Sequence, residues 1–174
     1  MDTLIKTGRE APDFELRDLD GFTHRLSSTQ GVIVILNFWS AECPWSQAAD
    51  MELIPYLKEW GNMAVLWSIA SNANEPLDLI TRTARERLLP LVLHDEQQEV
   101  ADLYGAQTTP HFFVVDPQGI LRYQGAINDV TFRQREPSIH YLRDAVEALL
   151  RGKKPDPDTT SPYGCAVVRF AESK

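Results

Sequence analysis

The segment FWSAECPWSQ (38–47) contains the residues whose types and spacing could do covalent chemistry. Cys43 is followed by Pro44, Trp45 and then Ser46, so the pattern is C-x-x-S, with a hydroxyl where a C-x-x-C pair has its second thiol. A cysteine thiolate can attack a disulfide or a peroxide. A serine cannot close the disulfide that would release the product, although Ser46 could donate a hydrogen bond to the thiolate. The alternative interpretation is a buried cysteine with only a packing role.

The sequence on either side of Cys43 predicts a strand followed by a helix. GVIVILNFW (31–39) is a nearly continuous apolar run rich in β-branched residues, which is typical of a strand buried on both faces. PWSQAADMELIPYLKEW (44–60) has apolar residues at roughly helical spacing, with Pro55 predicting a kink or a break. The free N–H groups and the dipole of a helix N-terminus lower the pKa of a thiol. We therefore expect Cys43 to be a reactive thiolate at the rim of a sheet.

The rest of the chain alternates between strand-like and helix-like patterns. An Asp-Gly turn at 20–21 predicts a β-hairpin within 8–27. The other predicted elements are strands at 63–71 and 91–95, helices at 74–88, 97–106 and 138–152, and a β-hairpin at 111–125. This order predicts an α/β fold with a mixed sheet that contains parallel pairs. We expect one domain at 1–152 and a C-terminal extension at 153–174, in which the run 165–170 would form an edge strand or pack on the surface.

Three segments, in the right order, resemble the thioredoxin-like superfamily. NFWSAECPWSQ (37–47) resembles the NFWATWCPPCR-type segment of TlpA- and ResA-type proteins. APDFELRDLDG (11–21) resembles the opening of the redoxin and AhpC/TSA branch, and TTPHFFVVDPQGILRYQG (108–125) resembles the cis-proline strand of that family. The resemblance implies a thioredoxin-like fold of three α/β/α layers and a thiol-based oxidoreductase that acts on disulfides.

The same resemblance implies a substrate-binding surface next to the nucleophilic cysteine. Thr109–Pro110 would be a cis peptide bond packed beside that cysteine, and the backbone just before Pro110 would pair with an extended substrate segment. Trp39 and Trp45 flank the cysteine, and together with Pro44 they could form an apolar rim for the substrate. Core packing is the alternative for Trp39.

The second cysteine, Cys165, is a candidate resolving residue. The ending TTSPYGCAVV (159–168) resembles a redoxin subgroup that ends in T-x-x-x-G-C-x-I-K, and GAIND (125–129) and YLRDAV (141–146) resemble other segments of the same subgroup. The resemblance raises the hypothesis of a disulfide between Cys43 and Cys165. Resolution by an external thiol such as glutathione is one alternative, and packing of Cys165 with Val167 and Phe170 as a small hydrophobic residue is another.

Two other functions remain open at this point. A one-cysteine peroxidase would resemble P-x-x-x-[TS]-x-x-C, of which Ser40 supplies the hydroxyl position while Leu36 stands in place of the proline. A thioredoxin-fold module that binds partners without turnover would explain the missing second cysteine of the motif. His111, next to Pro110, could act as an acid or a base if it lies near the thiol.

Composition and charge argue against several classes of partner. The chain has 174 residues and a net charge of −8, which does not favour nucleic acid or an anionic membrane surface. It has no apolar run long enough for a transmembrane helix and no recognisable signal peptide, so we expect a cytoplasmic protein. Two cysteines and four histidines without metal-ligand spacing predict no metal site, and no cofactor is expected. The expected partners are a protein or small-molecule disulfide or peroxide and a thiol electron donor; the oligomeric state is not predicted.

Overall fold

The structure, a computed structural model, describes residues 5–171 and has strands and helices in alternation. Its strands are β1 (Glu15–Asp18), β2 (Thr23–Arg25), β3 (Ile33–Trp39), β4 (Ala64–Ala70), β5 (Val92–His94), β6 (Thr108–Thr109), β7 (His111–Val115), β8 (Leu121–Gly125) and β9 (Cys165–Ala166). Its α-helices are α1 (Pro44–Trp60), α2 (Leu77–Glu86), α3 (Glu99–Tyr104) and α4 (Tyr141–Leu150). The strand and helix predicted around Cys43 are therefore both present, as is the predicted N-terminal hairpin of β1 and β2.

Seven strands form one mixed sheet in the order β2-β1-β5-β4-β3-β7-β8, and β6 and β9 form a separate pair. The central strand β3 is parallel to β4 and antiparallel to β7. All seven residues of β3 are buried, as expected for a strand covered on both faces. The C-terminal end of this strand leads directly into the segment that contains Cys43.

Helices cover both faces of the sheet. Successive side chains of β3 point to opposite faces, so neighbouring residues pack against different helices. Ile35 packs in one apolar cluster with Leu53 of α1 and Leu142 of α4. Leu36, the next residue, packs in another cluster with Val100 of α3. The predicted α/β/α thioredoxin-like layering is thus confirmed.

The predicted break at Pro55 does not occur, since α1 runs without interruption from Pro44 to Trp60. Pro55 removes one N–H that would have bonded to the carbonyl of Met51. Pro55 is exposed and the side chain of Met51 is 72% exposed, so the lost hydrogen bond lies on the solvent side of the helix. The buried side of α1 keeps its packing against the sheet.

The described part of the C-terminal extension packs along the domain. Backbone hydrogen bonds join Gln124 of β8 to Asp158 and Thr160. The predicted edge strand is β9, which pairs antiparallel with β6, and Val167, just beyond it, is buried in the core. Among residues 5–171, no helix combines the length and the apolar character needed to cross a membrane.

Candidate active site

Cys43 is the N-cap residue of α1, four residues beyond the end of β3. Pro44 occupies the first turn of the helix and is exposed, whereas Cys43 is only 3% exposed. The thiol donates a hydrogen bond to the carbonyl oxygen of Thr109, with 3.1 Å between Sγ and O. The Thr109–Pro110 peptide bond is cis, and both residues are buried beside the cysteine.

The loop that leads into Cys43 is held by a buried carboxylate. Ser40 Oγ accepts hydrogen bonds from the N–H groups of Glu42 (3.3 Å) and Cys43 (3.2 Å), and it donates to Glu75 Oε2. Glu75 Oε1 accepts the N–H of Ala41 at 2.7 Å. Glu75 is 6% exposed, so these bonds lie in a low-dielectric environment and fix the loop firmly. The hydroxyl of Ser40, which the peroxidase motif would direct toward a peroxide, is engaged in this network.

The same loop is held from its other side by Arg87. Its guanidinium donates to the carbonyl oxygens of Ala41 (2.7 Å) and Ser40 (3.4 Å). It also donates to Asp50 Oδ2 at 3.2 Å, which accepts a second hydrogen bond from Trp39 Nε1 at 2.8 Å. Burial raises the pKa of Asp50 to about 6, although the hydrogen bond from Trp39 and the charge of Arg87 act in the opposite direction.

The sequence did not single out Glu75, Arg87 or Asp50. Glu75 follows β4, the parallel neighbour of β3, and loops at the carboxyl ends of adjacent parallel strands meet at one edge of a sheet. That rule could have identified Glu75. Arg87 follows the C-terminal end of α2, and no local pattern links it to the cysteine loop.

The pairing of β6 with β9 brings Cys165 close to Cys43. The register of the β6–β9 pair places Cys165 opposite Thr109 and Ala166 opposite Thr108. The carbonyl oxygen of Thr109 is 3.1 Å from the sulfur of Cys43, so this pairing brings Cys165 close to that sulfur. The two cysteines carry free thiols in this structure, so the pair is a dithiol whose members are 122 positions apart in the sequence.

The two thiols differ in acidity. Burial raises the pKa of Cys43, but hydrogen bonds to its sulfur from the Cys165 thiol and from the N–H groups of Ser46 and Cys165 outweigh burial, so this pKa lies below its ordinary value. The pKa of Cys165 is raised to about 11, first by burial and then by Cys43 and the carboxylate of Glu75. Cys43 is therefore the member of the pair that ionises, while Cys165 retains its proton.

Ser46 contributes through its backbone rather than through its hydroxyl. Its side chain is fully buried, and its Oγ accepts the N–H of Ser40 at 3.2 Å. The N–H of Ser46, one of the free N–H groups of the first helical turn, is among the groups that lower the pKa of Cys43. Among the described residues, no hydrogen bond joins the hydroxyl of Ser46 to the sulfur of Cys43, so the predicted donation is not present in this structure.

The two tryptophans have different roles. Trp39 has no exposed surface and is covered by Arg87, whose guanidinium carbon lies 5.4 Å from the ring centroid. Its predicted contact with substrate is wrong, because its position on the fully buried strand β3 places it in the core. Trp45 is 37% exposed and contacts Tyr163 of the extension edge-to-face, with ring centroids 5.0 Å apart. Trp45, Tyr163 and Pro110 line a mostly apolar cavity of about 300 Å³.

His111 is not arranged for acid–base chemistry. It is buried, and burial lowers its pKa to about 4, so the imidazole is neutral at neutral pH. Its Nδ1 accepts the N–H of Gln107 at 3.2 Å, and its ring packs against Phe113 with centroids 4.5 Å apart. His111 therefore supports the turn that precedes the cis peptide bond.

A cysteine at a helix N-terminus, beside a cis-proline in a mixed sheet covered by helices, defines a thiol protein with a thioredoxin-like fold. The model of the AhpC/TSA family matches residues 7–124, and the chain belongs to that family. It is 34% identical over 122 residues to the thiol-disulfide oxidoreductase ResA of Geobacillus thermodenitrificans, with 67% of each chain covered.

Two solved structures support the fold. A hypothetical protein of Sinorhizobium meliloti is similar over 98% of each chain, with 27% identity and a TM-score of 0.87. The thioredoxin domain of a thiol-disulfide oxidoreductase of Bacteroides vulgatus is 17% identical, with a TM-score of 0.64 over 85% of this chain and 98% of that one. The first similarity extends through the C-terminal extension, so the extension is part of a shared architecture.

Proposed function

We propose that the protein is a thiol–disulfide oxidoreductase in which Cys43 is the nucleophile and Cys165 the resolving thiol. The observation that carries the proposal is the pairing of Cys165 with Thr109, whose carbonyl oxygen lies 3.1 Å from the sulfur of Cys43. The similarity to the thiol-disulfide oxidoreductase ResA supports the same chemistry. Ser46 stands where a C-x-x-C motif has its resolving cysteine. Cys165, 122 positions from Cys43, takes over the resolving role in this proposal.

In the first step the thiolate of Cys43 attacks one sulfur of a substrate disulfide. A bond forms between Cys43 and that sulfur, the substrate disulfide breaks, and the other substrate sulfur leaves as a thiolate. The lowered pKa of Cys43 keeps a larger fraction of the nucleophile ionised. The charge that Cys43 gives up passes to the leaving group.

In the second step Cys165 attacks the sulfur of Cys43. Before the first step, Cys43 raises the pKa of Cys165 in addition to burial. Once Cys43 is part of a mixed disulfide it carries no charge, so this contribution disappears and Cys165 loses its proton more readily. The new Cys43–Cys165 bond releases the remaining substrate sulfur as a thiolate. The two protein thiols have lost two electrons in total, and the substrate disulfide has become two thiols.

The cycle closes when an external thiol donor reduces the Cys43–Cys165 bond. Two donor thiols supply two electrons and become one disulfide, and the protein returns to its dithiol state. The donor is a proposal from chemistry alone, and glutathione or a dithiol protein would each serve. A cytoplasmic location stays a prediction, which cell fractionation would test.

The stoichiometry of the reaction with dithiodipyridine tests the proposal. Reduced wild-type protein should release two pyridinethione molecules, retain none, and lose the mass of two hydrogens. Cys165→Ser should release one and retain the other as a mixed disulfide on Cys43, because no second thiol can resolve it. Cys43→Ser, the matched control, should react slowly and only at Cys165, because burial raises the pKa of that thiol and leaves little of it ionised.

Other outcomes would contradict the proposal. If Cys165→Ser also released two pyridinethione molecules, Cys165 would not be the resolving residue. If Cys43→Ser reacted as fast as the wild type, Cys43 would not be the nucleophile. A non-catalytic binding module predicts two slow and equivalent thiols, which the different pKa directions of Cys43 and Cys165 argue against.

A further inference from the structure

The C-terminal extension crosses directly over the reactive cysteine. Gly164 lies against the backbone of Thr109, and a Cβ atom at Gly164 would fall 2.2 Å from the Thr109 carbonyl oxygen. Cys165 follows, paired with Thr109 in the β6–β9 ladder. Tyr163, which directly precedes Gly164, contacts the ring of Trp45 edge-to-face. Residues 163–166 therefore cover the site at van der Waals contact and leave no room for another chain between them and Thr109.

This segment occupies the strand edge that an extended polypeptide would need. Polypeptides that bind in extended form commonly pair with a free strand edge, so that backbone hydrogen bonds hold them and a side chain is presented to the site. The strand edge next to Cys43 is β6, whose Thr109 carbonyl lies 3.1 Å from the Cys43 sulfur. In the described chain this edge is paired with β9. Cys165 consequently stands where the cysteine of a polypeptide substrate would stand.

The segment is anchored on both sides of the site. Before it, the N–H of Thr160 donates to the carbonyl of Gln124 at 3.0 Å. After it, the N–H of Val167 donates to the carbonyl of Gln107 at 3.1 Å, and the side chain of Val167 is 9% exposed within the core. The neighbouring side chain of Val168 is 37% exposed. Undocking the strand would therefore require loss of the apolar contact of Val167 as well as of hydrogen bonds.

We propose that residues 163–166 act as a built-in substrate strand that determines which disulfides the protein accepts. While the strand is docked, Cys43 exchanges with low-molecular-weight disulfides and with Cys165, and polypeptide disulfides are excluded from the β6 edge. This inference rests on the proposed function, because it assigns a substrate class to the same site. The cavity of about 300 Å³ beside Trp45, Tyr163 and Pro110 offers room for the group that a small disulfide carries.

The test compares two oxidants in single-turnover reactions of the reduced full-length protein. Dithiodipyridine represents the small disulfides and insulin represents the polypeptide disulfides. Val167→Asp places a charge in the apolar contact that holds the strand, and Val168→Asp is the matched control at the adjacent exposed side chain. Both residues lie outside the segment 163–166 that covers the site. Gly164→Ala undocks the same strand by a steric route and serves as a second variant if Val167→Asp does not fold, as judged by circular dichroism.

We expect the rate with insulin to rise about tenfold or more in Val167→Asp, because the loss of one buried apolar side chain shifts a docking equilibrium by at least that factor. The rate of the first step with dithiodipyridine should not rise in the same way, because undocking also removes the hydrogen bonds from Cys165 that lower the pKa of Cys43. Val168→Asp should change neither rate. Gly164→Ala should raise the insulin rate in the same direction as Val167→Asp.

Several results would overturn the inference. Equal acceleration with both oxidants would mean that the strand is a general cover rather than a substrate mimic. No acceleration with insulin in folded Val167→Asp or Gly164→Ala would mean that polypeptides do not compete for the β6 edge. Failure of the wild type to react with dithiodipyridine would instead refute the proposed function itself, so the two failures are distinguishable.

Discussion

Replacing Asp50 with asparagine should change how the stability of the protein depends on pH. Asp50 is 2% exposed, and its pKa is raised by burial from 3.8 to about 6 in the folded state. The folded protein therefore binds this proton more tightly than the unfolded chain does. The resulting stability is fully present below pH 3.8 and is lost as the pH rises through about 6.

The size of the effect follows from the difference between the two pKa values. A separation of about two units corresponds to about 3 kcal/mol in the free energy of unfolding. An asparagine side chain at this position would still accept the hydrogen bond from Trp39 Nε1 but would not titrate. The free energy of unfolding of Asp50→Asn relative to the wild type should therefore rise by about 2 kcal/mol from pH 4 to pH 7, since part of the effect is already lost at pH 4.

Urea unfolding of the reduced proteins at several pH values between 4 and 7 would measure this difference. Urea is uncharged and leaves the ion pair with Arg87 unscreened. Asp78→Asn, on the exposed side of α2, is the matched control for loss of a carboxylate. A difference between Asp50→Asn and the wild type that stays constant across this range would mean that Asp50 is already ionised at pH 4, and the reasoning from burial would be refuted.

Three further predictions concern the site and the residues around it. His111 has a folded pKa of about 4 against 6.5 in the unfolded chain, so its stabilising contribution is present above pH 6.5 and is lost as the pH falls toward 4. Relative to His111→Asn, the wild type should lose about 3 kcal/mol of unfolding free energy between pH 7 and pH 4, and a flat difference in the same urea series would contradict this. Ser46→Ala should lower the unfolding free energy by about 1–3 kcal/mol because the Ser40 N–H loses its acceptor. It should hardly change the rate of Cys43 with dithiodipyridine, and a large loss of rate would show that the hydroxyl acts on the thiolate. Oxidation should stabilise the wild type by about 4 kcal/mol, because a bond between Cys43 and Cys165 closes a long loop in the unfolded chain. Chemical unfolding with and without reductant measures this, and an equal gain in Cys165→Ser would exclude the bond as its cause.

The elements around the nucleophile could be predicted because their signals are local. The apolar run of β3 and the helical spacing of α1 placed Cys43 at a helix N-terminus, and the structure has both elements. Pro55 illustrates where a local rule fails, since its effect depends on which side of the helix meets solvent. Trp39 illustrates the same limit: its residue type suits a substrate rim, but its place on a strand covered on both faces buries it completely.

The groups that hold the cysteine loop could not be predicted from local pattern. Glu75 and Arg87 lie 32 and 44 positions from Cys43 in the sequence. Their hydrogen bonds to Ser40 and Ala41 exist because β4 and α2 bring them to the edge of the sheet where β3 ends. A buried charge needs partners, yet the sequence around either residue does not say which partners it meets.

What the sequence determined by itself is therefore the local setting of Cys43, the proposed nucleophile: a cysteine directly before a helix, with a serine in place of the usual second thiol. Those properties depend on a few consecutive residues and on the unpaired N–H groups of one helical turn. Only the tertiary structure decided which second thiol lies close to Cys43. Cys165 is 122 positions away, and it reaches Cys43 because Gly164 permits close contact with Thr109, the β6 edge accepts one strand, and Val167 buries itself just beyond.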